Sequence, residues 1–416
     1  DPAPVVDFPV RAVQPIVRAD TPGPAVIVSG DGEGLVDLSQ SGLLSGNELI
    51  RYTASFAGDP HALQTAVAGN SVLVVTDTNR KRAQRWDNVN YNVGYTERPG
   101  EQPLVTDTND NQLVVFPGAG ESSSTVMEQR GVKVSATGYG SQALYLPADR
   151  PARAFDGDPT TAWTVGAFQA VDGQRLRADL DHPITTGTVN LVQPLTGPRD
   201  RFITRATLRF ADQHGKPVGQ NVTVDLGPAS RTPAGQTVSF PRRRFSRFEV
   251  VVDADSLGPQ PTYPHASGVG FAEIRLHDDA NPTRTVGVDE VVRMPTDLVT
   301  SPGARSTSHP LVYEMTRLRT VLAPPNTTDE EPAMVRSFTV PTARAFGVVG
   351  TARLAPGAPD SVIDQALGIP GATAGGVTAN ASEHLTTTAA ARASAALDGD
   401  PTTAWSTQAV SYTHLR

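Results

Sequence analysis

Cysteine is absent from the 416 residues of the chain. That single absence excludes disulfide staples, thiolate zinc sites and cysteine nucleophiles. Lysine is almost missing as well, with three residues (Lys81, Lys133, Lys216) against 32 arginines, and the formal charge is −8 at pH 7. A general nucleic-acid binder needs clustered cations to release counterions from phosphates, so neutral partners such as glycans fit this balance better. Aromatic side chains make up only 6% of the chain, so a sugar-stacking platform would have to be built from few rings. No window approaches eighteen consecutive apolar residues, and nothing reads as a bilayer span. The sequence starts at Asp1 with no basic and apolar leader, so the native start and any targeting segment are expected to lie outside it.

What is present points to turns and strands. Glycine (37) and proline (35) are both plentiful, which favours a turn-rich, mostly β chain with room for two to four domains. An octapeptide, Asp156-Gly157-Asp158-Pro159-Thr160-Thr161-Ala162-Trp163, recurs unchanged at Asp398 to Trp405. Upstream, Gly131 to Thr137 weakly parallels Gly376 to Ser382, so the chain carries one module and the start of a second. Short alternating runs at turn-punctuated spacing predict a β-sandwich over residues 123–280, with strands near 188–192, 206–210, 222–226, 237–240, 248–252 and 271–276. Residues 1–122 instead alternate strands (Ala25 to Ser29, Val72 to Thr76) with helix-like stretches (Pro60 to Ala68, Arg80 to Trp86), as a small α/β unit does. Residues 281–369 read as a β-rich connecting unit with strands near 311–315, 336–340 and 346–354 and a short helix near 360–367. Residues 370–416 read as a truncated second module, whose last seven residues break the repeat and are expected to be extraneous to it.

Chemistry-bearing motifs are few. The repeated Asp-Gly-Asp-Pro-Thr-Thr segment offers closely spaced hard oxygens suited to Ca²⁺, and equally suits an Asx-type turn whose carboxylates satisfy backbone amides. Gly30-Asp31-Gly32-Glu33-Gly34 lacks the spacing of a dinucleotide loop and reads as a plain turn. Asp107 to Asn111 begins like a calcium loop but has Gln112 in place of the turn glycine, and reads as a polar loop. The eight histidines are scattered and no Gly-x-Ser-x-Gly elbow occurs, so neither zinc nor serine-hydrolase chemistry has support. A glycosidase carboxylate pair is recognised by separation in space, and the sequence leaves that open. Asp77-Thr78-Asn79-Arg80 follows a buried-looking strand, where it either lines a ligand site or caps a helix over 80–86. Arg242 to Arg247 reads as the charged face of a solvated edge strand, with an anionic surface as the other reading.

The stretch Ala154 to Trp163, with Phe271-Ala272-Glu273-Ile274-Arg275-Leu276 at the far end, resembles discoidin domains (coagulation-factor type C) and the related galactose-binding-like carbohydrate-binding modules. The resemblance implies an eight-stranded jelly roll with a structural Ca²⁺ held by Asp156, Asp158, Thr161 and Glu273, and with Trp163 in the core. In the second copy Asp398, Asp400 and Thr403 match, with no closing glutamate. It further implies a glycan site in loops at one end of the barrel, where this chain offers Phe168, Tyr263 and His265.

A second resemblance rests on Val74 to Trp86 followed by Asn92-Val93-Gly94-Tyr95-Thr96-Glu97. Together with the order of an α/β unit before discoidin-like modules, this segment is similar to the extracytoplasmic part of AftD-type arabinofuranosyltransferases of mycobacteria. Those are membrane glycosyltransferases that extend cell-wall arabinan from decaprenyl-phosphoryl arabinose. Their catalytic membrane domain has no match in this chain, and no catalytic residue is assigned. The expected function is a non-catalytic, glycan-binding region at the extracytoplasmic face, with arabinan or arabinogalactan as partner, no nucleic acid, and a membrane link through the parent domain. The alternatives are a structural or protein-binding scaffold and, less favoured, a glycan-active enzyme with its site in residues 1–122.

Overall fold

The computed structural model describes residues 21, 23–84, 93–102, 116, 119–141, 145–197, 200–306, 308–316, 330–331, 333–350, 360–371, 375–382, 384–385 and 389–407. Asp107 to Asn111 and the last seven residues lie outside them. The chain divides into two compact units, residues 1–318 with 330–343, and residues 319–329 with 344–416.

The first unit begins with β1 (Ala25–Ser29), α1 (Gly32–Gln40), β2 (Leu49–Tyr52), α2 (Pro60–Ala68) and β3 (Val72–Thr76). β1 pairs in parallel with β2 on one side and β3 on the other. The period-2 alternation explains the layering: Val26, Val28 and Val74 pack with Leu38 of α1, while Ile27, Leu73 and Val75 pack with Val67 of α2 on the opposite face. The glycine run expected as a plain turn is the start of α1, because the Asp31 carboxylate accepts from the amides of Glu33 (3.1 Å) and Gly34 (3.5 Å) and so caps a helix. The helix expected over 80–86 is replaced by β4 (Arg82–Gln84), paired with β5 (Val93–Thr96). Tertiary pairing wins over amphipathic periodicity there, and Ala83 and Tyr95 join the sandwich core.

The sandwich follows: β6 (Val126–Arg130), β7 (Val132–Ala136), β8 (Gly140–Ser141), β9 (Trp163–Ala167), β10 (Arg175–Val192), β11 (Ile203–Ala211), β12 (Val222–Asp225), β13 (Gln236–Asp255), β14 (Val269–Phe271), β15 (Glu273–Arg275), β16 (His277–Asp278) and β17 (Asn281–Thr285). One sheet runs β12-β11-β13-β10-β15, with β7 also on β10, and a smaller one runs β14-β9-β8. The two strands expected at 237–240 and 248–252 are a single strand of 20 residues, kept paired to β10 across register shifts between Asp179 and Ile184 and between Thr186 and Thr188. Arg243 to Phe245 pair with β10 alone, and within the run only Arg247 is also paired with β11, so most of Arg242 to Arg247 lies where β13 runs past β11 and forms an edge, as expected. Phe245 is in the core, Arg242 pairs with Asp279 and Arg247 with Asp179, and Arg243 covers the Phe210 ring of that core at 4.5 Å. Trp163 is fully buried, stacked on Phe271, and donates from Nε1 to the Gly138 carbonyl at 2.9 Å. Gly270 lets β14 come this close to β9, since a Cβ there would meet the Trp163 carbonyl oxygen at 1.7 Å.

The segment expected as an independent unit over 281–369 instead divides between the two units. β18 (Asp289–Arg293) pairs with β6 and with β20 (Arg336–Ser337), α3 (Asp297–Thr300) covers the α/β sheet, and β19 (Leu311–Glu314) adds to it beside β3. The parallel sheet is thus ordered β19-β3-β1-β2, and a strand more than 230 residues downstream completes the N-terminal unit. The rest of the expected stretch near 336–340 is not strand, and neither are residues 346–350 of the one near 346–354.

In the second unit, α4 (Asp360–Ala366) packs against the 3₁₀ turn Ala393–Ala396, just before the repeated octapeptide. Asp364 accepts from Arg392 Nε at 2.8 Å and from the Ser394 hydroxyl, and Asp360 accepts from the Ala393 amide at 3.0 Å.

Candidate functional site

The repeated Asp-Gly-Asp segment folds as a tight turn with Gly157 at φ 80°. Asp156 accepts from the Asp158 amide at 3.0 Å, the Thr161 hydroxyl at 2.8 Å and Arg153 at 3.1 Å. Asp158 accepts from the amide and hydroxyl of Thr160 at 2.9 and 2.6 Å, which holds its carboxyl below the usual range. Asp158 and Thr161 are thus engaged inside the turn. Glu273 is placed differently. It is only 3% exposed, its Oε1 has no hydrogen-bond partner, and burial, followed by repulsion from Asp156, pushes its carboxyl up to about 7. Asp156 and Glu273 line a common cavity of about 280 Å³ with Gly157 between them. Among the described residues no group of three or more acidic or histidine side chains converges on one point. Of the carboxylates on this cavity Asp156 is already paired with Arg153, and the orphaned buried Oε1 of Glu273 is the feature a hard cation would relieve.

The second copy repeats the turn bond for bond. Asp398 accepts from the Asp400 amide at 3.0 Å and from the Thr403 hydroxyl, and Asp400 accepts from Thr402. No described residue there stands where Glu273 does in the first.

Phe168, Tyr263 and His265 come together at one end of the sandwich, on the loops after β9 and β13. Phe168 and His265 have φ of 66° and 64°, the only two described residues other than glycine with positive φ. Each carries about 1–3 kcal/mol of backbone strain. Their loops are tied by the Phe168 amide donating to the Ala266 carbonyl at 3.0 Å. The Phe168 ring is left 59% exposed. Tyr263 is half-buried, with its hydroxyl on Gly258 and the Gln260 amide and its ring 4.7 Å from the Arg201 guanidinium. Phe168 and His265 are exposed beside it.

Arg201 organises this end and has no signature in the sequence. It is buried, pairs with Asp255 at 2.8 Å, and donates to the carbonyls of Gly166 (3.2 Å) and Gln169 (2.8 Å), fixing the loop that carries Phe168. Its partners lie 32 to 54 residues away in sequence, which is why the primary sequence does not reveal it.

In the α/β unit, Asp77 does not cap a helix. It is fully buried, accepts from Arg336 and from the Thr316 amide at 3.0 Å, and ties the returning chain to β3. Thr78 donates to Asp31 at 2.6 Å and Asn79 to the Ser123 carbonyl at 2.8 Å. Glu314, at the end of β19, is pushed up to about 8 by burial and then by Asp37 and Asp77.

The strand pairing defines a mostly β protein, a β-sandwich joined to a small α/β unit. The resemblance to AftD-type arabinofuranosyltransferases holds over a larger part of the chain. The chain is 30% identical over 177 residues to an alpha-(1->3)-arabinofuranosyltransferase of Mycobacterium tuberculosis, covering 40% of this chain and 12% of that protein. It is 31% identical over 217 residues to the protein of the same name from Mycolicibacterium smegmatis, covering 50% and 14%. The chain therefore spans a small part of the length of the curated relatives it matches. Among solved structures, the mycobacterial arabinofuranosyltransferase AftD is similar at 19% identity and a TM-score of 0.45, over 65% of this chain and 19% of that one. A pectin-binding carbohydrate-binding module is similar at 17% identity and a TM-score of 0.26, over 38% of this chain and 99% of that one. No family model matches.

Proposed function

We propose that the chain is a non-catalytic, glycan-binding region of an arabinan-building glycosyltransferase, with cell-wall arabinan or arabinogalactan as its partner. The observation that carries this reading is the pair Phe168 and His265, held in left-handed backbone on two tied loops so that an aromatic ring is presented to solvent. Natural sequences keep such strain where a side chain must be aimed, and an exposed ring suits the apolar face of a sugar. The similarity to arabinofuranosyltransferases over half of the chain supports the choice of glycan.

In this reading the parent enzyme sits at the extracytoplasmic face of the membrane, takes decaprenyl-phosphoryl arabinose as donor, and supplies the membrane link. Among the described residues no helix is long and apolar enough to cross a membrane. Weak sugar sites on one chain would raise the effective concentration of a long polymer near the catalytic domain without any of them being tight. A structural Ca²⁺ belongs to the same proposal. Asp156 and Glu273 would hold it, and its charge would neutralise two facing carboxylates and pin the turn to β15.

The test is calorimetric titration of the whole chain with arabinan oligosaccharides. Binding in the millimolar range or tighter, weakened at least about tenfold by Phe168→Ala, is the expected result. No binding by the folded chain would leave the scaffold reading in its place.

A further inference from the structure

The aromatic end of the sandwich also encloses a cavity of about 320 Å³, built by Gln193, Pro194, Arg201, Phe202, Pro228 and Arg231 together with the start of β14. Its lining comes largely from the loops after β10 and β12, so it is a different place from the exposed Phe168 ring. The polar groups in it fall into two kinds. Gln193 is buried and fully committed, accepting from the Ile203 amide at 2.8 Å and donating to the Ile203 carbonyl and the Ser230 hydroxyl, each at 2.9 Å. The charge of Arg201 is matched by Asp255, but its buried Nε has no hydrogen-bond partner. Arg231 is exposed, its guanidinium lies 3.9 Å from the Phe202 ring, and no carboxylate pairs with it among the described residues.

That combination selects a ligand chemistry. A guanidinium laid on an aromatic ring is partly immobilised, so less entropy is lost when its planar fork takes up an anionic group. A buried donor without a partner costs about 1–3 kcal/mol until an acceptor reaches it. Neutral hydroxyls would leave the Arg231 charge uncompensated, whereas a carboxylate or phosphate oxygen answers both arginines, and the two prolines with Phe202 offer apolar surface to a sugar ring.

We infer that this cavity is a subsite for a sugar carrying an anionic oxygen group, a carboxylate or a phosphate, with Arg231 as its charge partner. The inference rests on the reading of the sandwich as glycan-binding and adds to it a preference for charged residues within the glycan.

The experiment titrates the whole chain at low salt with trigalacturonate and, separately, with arabinotriose. Trigalacturonate is expected to bind about tenfold tighter or better, and the advantage to shrink as salt is added. Arg231→Ala should remove that advantage and leave arabinotriose binding unchanged, while Arg231→Lys keeps part of it. Arg231 is exposed, so the variants should fold, and an unchanged urea unfolding midpoint checks this. Displacement of trigalacturonate by inorganic phosphate would extend the class to phosphorylated sugars, and failure to displace would restrict it to carboxylates. Arabinotriose binding with no preference for the uronate, or a preference that survives Arg231→Ala, overturns this inference alone. Failure of both sugars to bind overturns it together with the proposed function.

Discussion

The same eight residues fold twice in this chain, and the two copies end in different surroundings. In both, the first aspartate accepts from the amide two residues on and from the second threonine's hydroxyl, and the second aspartate caps the first threonine. The likeness extends upstream at the same offset of 242 residues. Short 3₁₀ turns at Pro147–Asp149 and Pro151–Ala154 match those at Ala389–Ala391 and Ala393–Ala396. Arg150, buried and paired with Glu290, matches Arg392, buried and paired with Asp364. Burial then separates them. Trp163 is 0% exposed and Phe155 1%, whereas Trp405 is 44% exposed and its neighbour Leu397 63%. The turn is therefore a local structure written in its own hydrogen bonds. The core position of the tryptophan is conferred by β14, β15 and the rest of the sheet, to which no described strand around the second copy corresponds.

This difference can be broken or sharpened by four sets of variants. Trp163→Ala should cost about 3–5 kcal/mol by opening a cavity in the core, and Trp405→Ala about 1 kcal/mol or less, as read from urea unfolding of each. Equal losses would mean that the second copy has a core of its own. Arg150→Ala and Arg392→Ala should instead be alike, each removing a buried guanidinium from a partly exposed carboxylate at about 2 kcal/mol.

Glu273 gives an effect of intermediate size. Its folded-state pKa of about 7 lies above the ordinary 4.5, so the folded state binds the extra proton. Its contribution is fully present below pH 4.5 and is lost as pH rises through 7. Metal-free protein should therefore lose about 2 kcal/mol between pH 5 and pH 8 through this group, and Glu273→Gln should flatten that part of the profile. Added Ca²⁺ should restore the loss in the parent chain and not in Glu273→Gln. The smallest effect is the turn itself. Thr161→Val and Thr403→Val each remove one hydroxyl bond to an aspartate and should cost about 1 kcal/mol, nearly equal in the two copies.

The parts of the structure legible in the sequence are those set by near neighbours. The strands Ala25–Ser29 and Val72–Thr76, the helix Pro60–Ala68 and the sandwich strands follow from their alternation and turn residues. What the sequence conceals depends on distant partners. β19 enters the parallel sheet through Leu311 to Glu314 pairing with Leu73 to Thr76, and nothing near either segment announces this. Arg82 to Gln84 have helical periodicity but meet β5 and the sandwich core, and strand pairing prevails. At the candidate site Phe168, Tyr263 and His265 lie on loops at one end, while Arg201 and Arg231 are assembled from separate loops and leave no motif.

The most direct test of the account is calorimetric titration of the whole chain with Ca²⁺, followed by arabinan oligosaccharides in its presence. The account predicts calcium binding lost in Glu273→Gln and sugar binding lost in Phe168→Ala. A folded chain that takes up neither would contradict it, leaving the repeated Asp-Gly-Asp segment a structural turn and the sandwich a scaffold.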